Sequence, residues 1–425
     1  MYKYGLCYKA LICTFFTLWG ISVNAQEISS ESSLPIATIN DCYEWSRANF
    51  PLIKQMDIID KATQFSLANA SSGNLPQINL NSQASYQSAV TSFPIDIPNV
   101  EVSNVSKDQY KIYGEVYQPL TSFSKVNIKK KQVEINGELE KQKVEVNLYQ
   151  LKERINQTYF GVLLINERIE QLDIIISDLD SALVKVGAAI DNGTATLTDK
   201  RLLRVERISM VQKIEENESN QLAFLNILSL LTGKKIPKST ILDKPVVQPE
   251  LSMTSRPELR VFKLQNDAID IQSEQLNNSL RPTLGIFAQG GYGRPALNFL
   301  SNDFELYYLG GLKLKWNISS FYNHKNSKNS LQTLKDKVMT QRETFLLNTE
   351  VSQSQQTAEI TKYKGLMKSD NDIVNIRIEI LNTAKVQLDN GLITTIDYVK
   401  YLNDVNLAKQ TLLLYETQLL LAIYN

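Results

Sequence analysis

Two periodicities alternate along this chain. Over residues 77–88 the side chains change character at every step. Ile78, Leu80, Ala84 and Tyr86 share one parity, and Gln77, Asn79, Asn81, Gln83, Ser85 and Gln87 the other. A two-residue period marks a strand with one apolar and one polar face. The alternation returns over 109–119, where Tyr110, Ile112 and Val116 oppose Lys111 and Glu115. It returns over 283–292, with Leu284, Ile286, Ala288 and Tyr292 on one parity, and over 305–317, where Leu306, Tyr308, Leu312, Leu314 and Trp316 oppose Lys313 and Lys315. Four strands are expected, in two pairs.

After each pair the period lengthens. No proline interrupts 124–190 or 322–388, and a helix is expected over each. At 1.5 Å per residue such helices reach roughly 100 Å. The seam Val162, Ile165, Ile169, Leu172, Ile176, Leu179, Leu183, Val186, Ile190 steps alternately by three and four. That period of 3.5 is the signature of helices that supercoil around partners. The long helices stop at Asp191-Asn192-Gly193 and Asp389-Asn390-Gly391, where glycine supplies a left-handed cap. Thr196 with Asp199 and Thr394 with Asp397 then have capping-box spacing, which restarts helices over about 197–232 and 395–423.

The landmarks occur twice. Pro51 and Pro76 recur as Pro257 and Pro282, each 206 residues on, and Asn192-Gly193 and Asp199 recur as Asn390-Gly391 and Asp397, each 198 residues on. The difference of eight falls between Tyr86 and Tyr110, where a variable loop is expected. The chain therefore reads as an export signal (1–25), one unit (26–233), a linker rich in Pro and Lys (234–254) and a second copy of the unit (255–425). The signal is carried by Lys3 and Lys9, the apolar run 10–21 and the slim residues Val23-Asn24-Ala25.

Composition narrows the chemistry. The 425 residues hold 45 basic and 45 acidic side chains, one His and three Cys. This is no electrostatic footprint for nucleic acid. One histidine is too few for a His/Cys metal site or for most nucleophilic catalysis. No enzyme, cofactor or metal is expected. Cys7 and Cys13 leave with the signal, no lipid-attachment cysteine sits at the cleavage point, and Cys42 remains as a lone, buried or half-buried thiol. His324 is read as a solvated side chain, and Lys129-Lys130-Lys131 as a solvated helix face.

Strands of about ten residues with opposed faces suit a half-buried soluble sheet or a transmembrane barrel. Tyrosines and Trp316 near strand ends, together with the export signal, favour the barrel. On that reading Ile78, Leu80, Tyr86, Tyr110, Leu284, Ile286, Tyr292, Tyr308 and Trp316 face lipid or its interface, and Gln77, Asn79, Asn81, Lys111, Glu115, Lys313 and Lys315 face a lumen. Four strands cannot close alone, because an open edge in lipid leaves backbone groups unpaired. A dimer of eight strands or a trimer of twelve would close. The competing reading is a periplasmic or surface coiled-coil scaffold or adhesin without a pore.

The order and spacing of these motifs resemble the TolC family of outer-membrane efflux proteins. The likeness spans the mature chain, including Leu75-Pro76 and Arg281-Pro282 before the first strands, Trp316-Asn317-Ile318 after the last, and both tight turns. The resemblance implies a mainly helical protein with a membrane β-barrel contribution. The implied assembly is a homotrimer whose twelve-stranded barrel continues into a periplasmic helical tunnel. Its implied partners are a periplasmic adaptor, an inner-membrane RND or ABC transporter and outer-membrane lipid. It also implies a periplasmic gate, with Asp397 as a gate carboxylate and Asp199 as a link between neighbouring hairpins. Capping of the following helix is by itself a sufficient explanation of both aspartates, and is the favoured one. The chain departs from the family pattern at Ile190 and Leu388, where an aromatic is usual, at Leu392-Ile393, and at Lys400, where some members carry an acid.

Overall fold

A computed structural model describes residues 36–91, 105–246, 256–298 and 301–424. The export signal at 1–25, with Cys7 and Cys13, lies outside the described residues, as do parts of the expected variable loop and of the linker.

The first half runs β1 (Ile36–Ala37), α1 (Ile39–Asn49), α2 (Lys54–Ser71), β2 (Gln77–Tyr86), β3 (Asp108–Pro119), α3 (Phe123–Asp191) and α4 (Leu197–Thr232). After β4 (Ile241–Leu242), the second half runs α5 (Pro257–Ser279), β5 (Thr283–Arg294), β6 (Glu305–Lys315), α6 (Ser320–Asp389) and α7 (Thr395–Tyr424). Helix α3 has 69 residues and α6 has 70, each about 100 Å long. Among the described residues no helix is long and apolar enough to cross a membrane.

The four long strands form one antiparallel sheet in the order β2-β3-β5-β6. Each half contributes a hairpin, and the seam between halves is β3 against β5, with Ile112 opposite Tyr292 and Glu115 opposite Gln289. Helices α3 and α6 leave the same end of this sheet, at Pro119 and Lys315, and each folds back as an antiparallel hairpin with α4 or α7.

Two cores hold the helices. The first lies midway along α3, where Leu151, Ile155, Tyr159, Phe160 and Val162 pack on Cys42, Leu225, Leu228 and Leu420. Here two residues of the Pro- and Lys-rich linker pair as a strand, with β4 running parallel to β1. The hydroxyl of the fully buried Tyr159 lies 2.9 Å from the carbonyl of Ala37 and 2.6 Å from that of Asp243. Nearby, Lys244 reaches Glu167 of α3 at 2.9 Å and Glu416 of α7 at 2.8 Å. Burial pushes the Cys42 thiol up to about 12, so it stays protonated as a small apolar side chain.

The second core lies beside the turns and joins Leu172, Ile175, Leu179, Ala182 and Val186 of α3 to Leu203, Met210, Tyr398 and Leu402. The buried seam steps through Ile175 and Ala182, whereas the sequence suggests Ile176 and Leu183. Either choice keeps the three-four step, and the packing of α4 and α7 selects between them. Ile176, Leu183 and Ile190 lie alongside, half-buried. Burial is unequal between the long helices. Twenty residues of α3 are buried but only Val338, Thr349, Val374 and Ala384 of α6.

Candidate functional site: a two-faced sheet and two helical tips

Opposed residues in an antiparallel ladder point to the same face, so the register assigns every strand side chain to one of two sides. Ile78 lies opposite Val116, Ile112 opposite Tyr292, Ile286 opposite Leu312 and Leu284 opposite Leu314. Leu80, Tyr86, Tyr110 and Tyr308 share that face. Gln77, Asn79, Asn81, Lys111, Glu115, Lys313 and Lys315 all fall on the opposite one.

The apolar face is bare. Leu80 is 77% exposed, Leu306 83% and Tyr308 88%, a contiguous apolar surface of the kind that marks contact with lipid or another protein. Aromatic rings bracket this band. At the loop end Phe304 stacks between Tyr110 and Tyr292, and at the helix end Trp316, just past β6, donates its indole N–H to the Leu280 carbonyl at 2.9 Å.

The polar face is cross-linked. Glu115 accepts from Gln289 and lies 3.9 Å from Lys313, whose ammonium sits 5.9 Å from the rings of Tyr117 and Phe287. The Tyr117 ring lies flat over Gly285, where a Cβ would come within 2.5 Å of it. Strands β2 and β6 form the two edges, so in a single chain each presents an unpaired row of backbone groups.

At the far end of the helices, Gly193 (φ 72°) and Gly391 (φ 70°) make the left-handed turns. The Asn192 amide caps the Ala188 carbonyl at 2.9 Å and that of Asn390 caps Val386 at 2.8 Å. Asp199 accepts from the Thr196 hydroxyl (2.6 Å) and backbone N–H (2.9 Å), and Asp397 accepts from the same groups of Thr394 at 2.6 and 3.1 Å. These hydrogen bonds favour the ionised form and hold both carboxyls below their ordinary value. A hydrogen bond from the Thr395 hydroxyl, at the start of α7, also lowers Asp199, which brings the first tip against the second.

Further groups at the tips escape a search for local motifs. Lys185 of α3 pairs with Asp389 of α6 at 2.5 Å, and Asp178 of α3 with Lys385 of α6 at 3.3 Å. The only signal for them is opposite charge seven residues apart on one helix facing opposite charge four apart on another. Tyr398 is fully buried between these elements, and burial pushes its hydroxyl up to about 12. Ile190, Leu388 and Ile393 pack on the same core, and Lys400 lies near enough to lower Asp397 further.

A scan against protein-family models finds no match, and neither does a search of curated proteins. Solved structures do match. The outer-membrane channel OprN superposes with a TM-score of 0.67 at 11% identity, covering 91% of this chain and 88% of that one. The outer membrane protein VceC of Vibrio cholerae gives 0.64 at 12% identity, covering 91% and 94%. The open state of the MtrE outer membrane channel of Neisseria gonorrhoeae gives 0.62 at 11% identity, covering 91% and 88%. With its antiparallel sheet of opposed faces and its two long helical hairpins, this chain has the fold of the outer-membrane channel proteins.

Proposed function

We propose that this protein is the outer-membrane duct of an efflux or secretion system, a passive channel through which an inner-membrane transporter expels its substrate. The observation that carries the reading is the sheet. One face is bare and apolar between aromatic borders, the other is polar, and both edges are open.

Closure then requires further copies, and a homotrimer gives a barrel of twelve strands. The two halves act as copies of one unit, so six hairpins enclose the passage and six helical pairs extend it across the periplasm. The sparsely buried α6 packs against a neighbouring copy. Ile78, Leu80, Leu284, Ile286, Tyr86, Tyr110, Tyr292, Tyr308 and Trp316 meet lipid and its interfaces, while Gln77, Asn79, Asn81, Lys111, Glu115, Lys313 and Lys315 line water.

A periplasmic adaptor and an RND or ABC transporter engage the helical end, and energy comes from that transporter. Asp199 and Asp397 cap the tips and, set around the axis of a trimer, narrow the opening there. Single-channel recording on the purified protein in planar bilayers tests the reading. Stepwise conductance is the expected result. No conductance, even with Asp199 and Asp397 replaced by Ala, sinks it.

A further inference from the structure

Where the sheet meets the helices, a cavity of about 790 Å³ opens among α2, α3, the ends of all four long strands and the Arg281–Thr283 turn. That volume is ample for a small ligand. Its strand residues include Gln77, Tyr117, Thr283 and Lys315, which the register places on the polar face with Glu115.

The charge in this cavity has one sign. Lys125, Lys129, Arg281 and Lys315 line it, and no carboxylate does. None of the four takes part in an ion pair among the described residues. Lys125 donates to the Thr283 hydroxyl at 2.9 Å, and all four cationic side chains stand at the exposed mouth of the cavity. The first turn of α3 also opens here. Its N-cap residue Ser122 lines the cavity, makes no side-chain cap and turns its hydroxyl to Asn74 instead. Unpaired N–H groups of a helix start add positive potential to that of the four side chains. Like charges held together without counter-charge are destabilising, and an anion relieves that repulsion.

The geometry points to this cavity as a binding station for soluble polyanions, solutes carrying two or more phosphate or carboxylate groups that pass along the polar face. The inference rests on the duct reading for its direction of travel and adds a substrate class to it. A guanidinium and three ammonium groups grip phosphate or carboxylate oxygens by charge-assisted hydrogen bonds. A partly hydrated cavity then releases the anion to the next station. Lipid headgroups offer the same chemistry, but the cavity lies on the face opposite the bare apolar one.

Inorganic tripolyphosphate is the probe. In planar bilayers it is expected to block wild-type conductance, and Lys125→Gln/Arg281→Gln/Lys315→Gln should raise the half-blocking concentration roughly 100-fold. The same variant should shift the reversal potential in a KCl gradient toward cation preference. Lys368→Gln, on the exposed middle of α6, should leave both unchanged. The variant's conductance without tripolyphosphate reports that it is folded, and Lys315→Gln alone serves if the triple variant fails to insert. Equal block of variant and wild type overturns the station. So does a block present in phosphatidylcholine but lost in phosphatidylglycerol bilayers, which would assign the cavity to headgroups. Calorimetry in detergent separates the two ideas. Tripolyphosphate binding without any conductance sinks the duct and keeps the station, whereas conductance without differential block does the reverse.

Discussion

Lys185 of α3 places its ammonium 2.5 Å from the carboxylate of Asp389, the last residue of α6. With Asp178 and Lys385 it forms two charge pairs of opposite sense across the two helical hairpins. Because both pairs are 38–50% exposed, each contributes at most about 1 kcal/mol to folding. They contribute geometry more than stability. Asp178→Asn/Asp389→Asn should therefore leave the melting temperature within a few degrees of wild type and raise the fraction of time the channel is open. The difference should be largest in dilute salt and vanish near 1 M, where screening acts over roughly 3 Å. Identical gating at every salt concentration would show that the apolar tip core alone holds the hairpins.

The capping carboxylates make the tips acid-sensitive. Asp199 and Asp397 are held below the carboxyl value of 3.8 by their threonine partners. Groups with depressed pKa stabilise the fold above their unfolded value and lose that contribution as pH falls through the folded one. Amide protection at 194–200 and 392–398, taken relative to the intrinsic exchange rate at each pH, should hold from neutral pH downward and fall only as the pH drops below 3.8. In Asp199→Asn/Asp397→Asn this acid step should disappear. A step already complete at neutral pH would contradict capping.

Neighbouring residues 79 and 80 give a test of the two faces. Leu80→Arg puts a charge on the bare apolar side, which costs about 2–4 kcal/mol at the midplane of a bilayer, and should abolish recovery from membranes after an alkaline carbonate wash. Asn79→Arg, one step along β2, should insert normally and change only ion selectivity. If Asn79→Arg is the variant that fails to insert, the faces are reversed. Release of the unaltered protein by carbonate would favour a peripheral scaffold.

How legible these features are depends on the range of the interaction behind them. The parity of Ile78, Leu80, Leu312 and Leu314 is written in a two-residue period, so the faces of the sheet follow from sequence. Thr196 with Asp199 and Thr394 with Asp397 are local motifs four residues wide, and the tips follow too. The shift of the buried seam to Ile175 and Ala182 does not, because two equally good heptads differ only in which neighbour covers them. Nor does the pairing of Ile36 with Ile241, where two-residue strands are too short to show a period. Lys129 illustrates the limit most sharply. In sequence it is part of a lysine run on a solvated helix, and only the assembly of four strands and two helices turns it into a cavity wall.

That short parallel pair has a measurable weight. The Tyr159 hydroxyl serves the carbonyls of both Ala37 and Asp243. Tyr159→Phe takes the hydroxyl from both; the Ala37 carbonyl keeps the Asp243 backbone N–H at 3.0 Å, so the loss is that of a hydrogen bond, about 1 kcal/mol. The melting temperature should fall while conductance per channel stays the same. An unchanged melting temperature would mean that water replaces the hydroxyl.

The β3–β5 seam also sets a schedule. Glu115 and Gln289 are 174 positions apart, whereas each hairpin closes locally. During synthesis the first hairpin must therefore wait, with β3 exposed as an edge, until more than half of the remaining chain has followed it. An unsatisfied strand beside a bare apolar surface is an aggregation hazard. Until β5 arrives, the open edge of β3 is the part of the sheet that most needs cover.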